Sequence, residues 1–148
     1  MNIASKFFMF IIIVLFAGCS SNSQSINSIS YNFAGGETGH YIKIEITKDS
    51  INGMFESLNQ RIIIKEKTPK NTWDSLTHSI TLENFKEIKS GKSLLEIDGT
   101  NVSIKVETDG DSYSFLNGNI DKVQNKKVFH FMEFLENELS NIYQRANH

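Results

Sequence analysis

The chain has a single cysteine, Cys19, which follows an unbroken apolar run, Phe7–Phe16, and the small residues Ala17 and Gly18. With no second cysteine to bond, any chemistry this thiol carries is its own. His130 and Glu133 fall three apart, on one face of a helix, where a metal ion or an acid–base step would use them. The H-E-x-x-H pattern is missing, and His40, His78 and His148 are scattered, so packed or solvated histidines are expected. Asp109-Gly110-Asp111 is acidic enough to suggest calcium. Ser114, however, stands where the calcium loop needs glycine, and no bidentate glutamate follows. Gly91-Lys92-Ser93 ends like a phosphate-binding loop, but Lys86 occupies the place of its first glycine. No G-x-S-x-G elbow marks a nucleophilic serine. In Gly35-Gly36-Glu37-Thr38-Gly39 the glycines free backbone amides for an anion, which makes Glu37 and Thr38 a candidate binding loop. The plainer reading is a turn or bulge between strands. The residues call for no catalytic group, no metal and no cofactor.

The N-terminus has the layout of a secretory signal: a short segment with one positive charge at Lys6, an apolar stretch, then small residues. Its apolar run is too short to span a bilayer, which requires roughly 20 residues of helix. Leu15-Phe16-Ala17-Gly18-Cys19 resembles the lipobox of bacterial lipoproteins, departing from it only at Phe16, where an aliphatic residue is usual. That resemblance implies diacylglycerol on the Cys19 thiol, cleavage before Cys19, and acylation of the new amino group. Each buried methylene contributes about 0.8 kcal/mol, so one chain holds marginally and two or more hold durably. The expected division is a lipoprotein signal peptide over 1–18, a lipidated cysteine with a flexible tether over 19–27, and one domain over 28–148.

Loss of residues 1–18 removes Lys6 and leaves the 17 acidic residues in slight excess. This mild negative balance argues against a nucleic-acid partner and against electrostatic attraction to a membrane. The tether is rich in serine, and about eight such residues reach on the order of 16 Å. Surface-displayed lipoproteins of Bacteroidota often carry acids just after the cysteine, whereas Ser20 to Ser23 carry none. The expected address is the periplasmic face of the outer membrane.

From Ser28 onward apolar and polar residues alternate, the pattern of half-buried strands. Ile42, Ile44 and Ile46 oppose Lys43, Glu45 and Thr47, and Val102, Ile104 and Val106 repeat the pattern. Asn52-Gly53, Asp98-Gly99, Asp109-Gly110 and Asn117-Gly118 read as tight turns. Ile62-Ile63-Ile64, flanked by the charges Arg61, Lys65 and Glu66, reads as a central strand covered on both faces. After Thr68-Pro69, a cap and first-turn proline, Trp73, Leu76 and Ile80 recur at helical spacing. Val128, Met132, Leu135, Leu139 and Ile142 form a seam with Glu133, Glu136 and Glu138 away from it. The fold class is α+β: an antiparallel β-meander sheet with two helices, one mid-chain and one C-terminal, packed on one face.

GGETG before a strand, W-x-x-L, L-x-x-F-x-x-I and Y-S-F together resemble a group of small, uncharacterised Bacteroidota lipoproteins. That resemblance implies fold and address, and no activity. The expected function is a lipid-anchored, non-catalytic binding or scaffolding module of the cell envelope. The alternative is a periplasmic inhibitor or immunity protein that blocks an envelope enzyme or toxin. The expected partners are the membrane, through lipid on Cys19, and an unknown protein.

Overall fold

A computed structural model describes residues 24–36, 39–118, 123 and 125–147. The elements run β1 (Ile26–Gly35), β2 (His40–Thr47), β3 (Ser50–Ser57), β4 (Gln60–Lys67), α1 (Lys70–Ser79), α2 (Leu82–Lys86), β5 (Thr100–Thr108), β6 (Ser112–Leu116) and α3 (Lys126–Ala146). The strands form one antiparallel sheet in the order β4-β3-β2-β1-β5-β6. This is the expected α+β class, with one refinement. Strands β1–β4 are a meander, and the β5–β6 hairpin is added to the other side of β1 after the helical segment.

The registers line up the alternating apolar positions into three rows on one face. At the end where the chain enters, Ile51, Ile46, Ile29 and Val106 lie side by side and are at most 1% exposed. The middle row is Ile64, Gly53, Ile44, Tyr31, Ile104 and Phe115. At the far end, Ile62, Phe55, Ile42, Phe33 and Val102 make a third row that is only half-buried. The opposite face carries the polar partners of each alternation, such as Lys43, Glu45 and Lys65. A sheet with one wet face needs this period of two.

α3 closes the apolar face. Its 21 residues extend about 32 Å, and six strands are spanned by about 24 Å, so one helix crosses the whole sheet. Near its start Phe131 meets Phe85, which in turn lies against Phe115 of β6. Near its end Tyr143 packs edge-on to Phe55, and Arg145 Nη2 donates to Glu66 Oε1 of β4 at 2.7 Å. The hydrogen bond to Glu66, with the charges of Glu66 and Glu138, holds the Arg145 guanidinium more firmly protonated than usual. The buried face is centred on Val128, Phe131, Leu135, Glu138, Leu139 and Ile142. The expected seam is thus displaced by one position at Phe131, and Glu138 lies inside it, where Arg145 and Asn141 reach its carboxylate at 3.5 Å.

Three other expectations are corrected. Ile62-Ile63-Ile64 belongs to an edge strand, and Ile63 is 54% exposed on the polar face. Asn52-Gly53 lies within β3, where a Cβ on Gly53 would stand 2.2 Å from the Lys43 carbonyl oxygen and 2.5 Å from Ile44 Cδ1. Glycine is required there for close approach, and the turn falls instead at Lys48-Asp49. The Thr68 hydroxyl donates to the Thr47 carbonyl rather than capping α1. Residues expected in the tether belong to the fold, since β1 starts at Ile26 and Gln24 is bound to Asp111.

Candidate functional site

The half-buried third row is the floor of a cleft of about 490 Å³ between the far end of the sheet and α3. Phe33, Ile42, Phe55 and Ile62 come from four adjacent strands, and Leu139 and Tyr143 of the helix form the wall. The floor stays open because α1 and α2 lie over the rest of the sheet, where Trp73, Leu76 and Phe85 are buried. Ligand sites of this kind occupy about 300–1,000 Å³ and combine apolar walls with a few polar groups. Gln60 Nε2 donates to Asn147 Oδ1 at 2.8 Å across one end, tying the β3–β4 turn to the end of the helix.

Several polar groups line the cleft. Tyr31 reaches the cleft from the middle row and is 7% exposed, and its hydroxyl makes no hydrogen bond among the described residues. Burial, helped by the Glu136 carboxylate, pushes its phenol up to about 12, so it stays protonated in any ordinary medium. Glu136 lies one helical turn before Ser140, and both line the wall. Glu56 and Gln60 stand at the β3–β4 turn. Neither carboxylate enters an ion pair among the described residues. The lining contains no lysine and no arginine.

The glycine-rich turn between β1 and β2 is next to this cleft in the chain. Gly35, Gly36 and Gly39 all have positive φ, and a Cβ on Gly35 would fall 2.4 Å from the Gly99 carbonyl oxygen. His40 and Tyr41, just after the turn, line the cleft. Glu37 and Thr38, the candidate binding loop, lie outside the described residues, as does Cys19.

The other candidate groups serve the fold. His130 Nδ1 and Glu133 Oε2 are 3.4 Å apart on an exposed helix face, and no group of three metal-ligating side chains forms among the described residues. Asp109 and Gly110 make the β5–β6 turn, and the Asp111 carboxylate accepts from Gln24 Nε2 at 2.6 Å. The Tyr113 hydroxyl is 2.8 Å from Gln24 Oε1 and 2.9 Å from Asp111 Oδ2, and Lys86 Nζ sits 4.6 Å from its ring centre. The Gly91 amide donates to the Leu116 carbonyl, and the Ser93 hydroxyl accepts from Asn101, so this loop is laced to the sheet. A second, more polar depression of about 540 Å³ lies by Gln24, Thr81 and Lys86, where Gln24 and Lys86 are already engaged.

Sequence reasoning missed the cleft. Alternation assigns Phe33, Ile42, Phe55 and Ile62 to the core face, but only the strand registers place them in one row beyond the helices' cover. No protein-family model matches the chain, and comparison with curated proteins returns no match.

Proposed function

We propose that the chain is a lipid-anchored, non-catalytic binding module of the cell envelope that holds an apolar ligand in the cleft beneath α3. The observation that carries this reading is the third row: four large apolar side chains on a sheet face that is buried elsewhere but open here. Leaving such a surface wet costs about 25 cal/mol per Å², and an occupant offsets that cost. The anchoring half of the reading rests on Leu15 to Cys19 and their resemblance to a lipobox. The expected address is the periplasmic face of the outer membrane, with the acyl chains on Cys19 as the membrane contact.

Two measurements test the two halves. Cys19→Ala is expected to accumulate as a precursor that takes up no labelled palmitate. Normal processing and labelling of that variant would overturn the anchor. For the cleft, the full chain in lipid nanodiscs is titrated with 1-octanol while the isoleucine methyl groups are followed by NMR. Saturable shifts are expected at Ile42 and Ile62. Unmoved methyls at both would overturn the binding reading.

A further inference from the structure

The charge of the cleft narrows the chemistry of its occupant. Its floor is hydrocarbon and aromatic, and its lining includes His40 and the Glu136 carboxylate on the helix wall but no lysine or arginine; Glu56, next to Phe55 in β3, stands in register with Arg61 on the opposite face. Glu136 enters no ion pair among the described residues. Tyr31 adds a polar atom with no partner on a side chain that is 7% exposed, aimed into the same space. No buried side-chain polar atom lacks a partner among the described residues, so the Tyr31 oxygen reaches the open space of the cleft, where a ligand or water can bond to it. An anionic head, such as a fatty-acid carboxylate, would meet the like charge of Glu136 with no lysine or arginine in the lining to offset it.

We propose, building on the binding reading above, that the cleft takes a cationic amphiphile: an apolar body on Phe33, Ile42, Phe55 and Ile62, with a protonated amine at Glu136 and the Tyr31 hydroxyl. The rings of Tyr31, Tyr143 and Phe55 suit such a head, because aromatic faces attract an ammonium group. Tyr31 offers its oxygen lone pairs to the amine N–H groups. Its own proton is held too tightly to be lost.

The test uses three probes of equal length, octylamine, 1-octanol and octanoate, which at pH 7 are cationic, neutral and anionic. Each is titrated into the full chain in zwitterionic nanodiscs, with the Ile42 and Ile62 methyls as reporters. Ile51, 0% exposed at the other end of the sheet, and Ile97, 75% exposed, serve as controls for global change and non-specific partition. Octylamine is expected to reach half-saturation at about fivefold lower concentration than octanol, the factor that ~1 kcal/mol of partly exposed ion pairing supplies. Octanoate is expected to be the weakest. Glu136→Gln, an exposed change, should bring the amine and the alcohol together. Octanoate binding as well as the amine, or an amine preference that survives Glu136→Gln, would overturn the proposal while leaving the octanol result, and so the binding reading, in place. Silence of Ile42 and Ile62 to all three probes would overturn both.

Discussion

Where the chain enters the sheet, the row Ile51-Ile46-Ile29-Val106 is sealed, and the polar groups around it bind one another: Gln24 to Asp111, Tyr113 to that pair, and Lys86 over the Tyr113 ring. At the opposite end, the row Ile62-Phe55-Ile42-Phe33 is half-exposed, and among the described residues Tyr31 has no hydrogen-bond partner and Glu136 enters no ion pair. The same strands supply both ends with the same kinds of residue. What differs is cover: α1 and α2 follow β4 and lie over the first rows, and α3 alone flanks the last. Sealed packing is concentrated at one end of the sheet, and open apolar surface at the other.

Packing gives the largest test of this contrast. Leu135, 0% exposed, sits in the sealed part, and Leu135→Ala is expected to cost about 2–5 kcal/mol in urea melts. Ile62→Ala, in the cleft floor, is expected to cost less than about 2 kcal/mol, since much of its side chain is already wet. Equal costs would make the third row ordinary core and end the distinction.

Alkaline titration sharpens the contrast. The unfolded chain releases the Tyr31 proton near pH 10, whereas the folded protein holds it to about 12. Between these values the folded state binds more protons, so stability falls as pH rises. The loss is about 2 kcal/mol across the window, and there is none below it. Tyr31→Phe should flatten that decline in melts between pH 10 and 12, and an unchanged slope would mean that the phenol is not held as described.

The smallest effect belongs to the entry end. Hydrogen bonds from Gln24 and then Tyr113 hold the Asp111 carboxylate below its usual range. Its contribution is therefore present above about pH 3.8 and fades as the pH falls below that. Asp111→Asn should speed amide exchange at Asp109, whose N–H donates to the Ser25 carbonyl, and leave Ile42 unaltered. Faster exchange at Ile42 as well would show that the two ends are coupled.

Much of this was legible in the residues. Period-two alternation located β1, β2 and β5, and period 3.6 located α3 and the segment around Trp73. Ile63 was misread because apolar runs reveal hydrophobicity and not neighbours, and only the order β4-β3-β2-β1-β5-β6 makes β4 an edge. Asn52-Gly53 was misread because glycine serves close packing as well as turns. Glu138 was misread because a carboxylate is buried readily once Arg145 reaches it. The cleft was invisible for a further reason: it is a property of which row the helices fail to reach, and no single segment encodes that.

The Gln24 clamp also sets a direction. Seven residues of strand separate Ile26 from Phe33, a distance of about 23 Å. Asp111 and Tyr113 fasten Gln24 at the near end, so β1 cannot peel from its first residue without breaking these bonds. A pull on the chain from its N-terminal side is therefore taken up by Asp111 and Tyr113, about a strand's length from the cleft, and the open row keeps its shape under load.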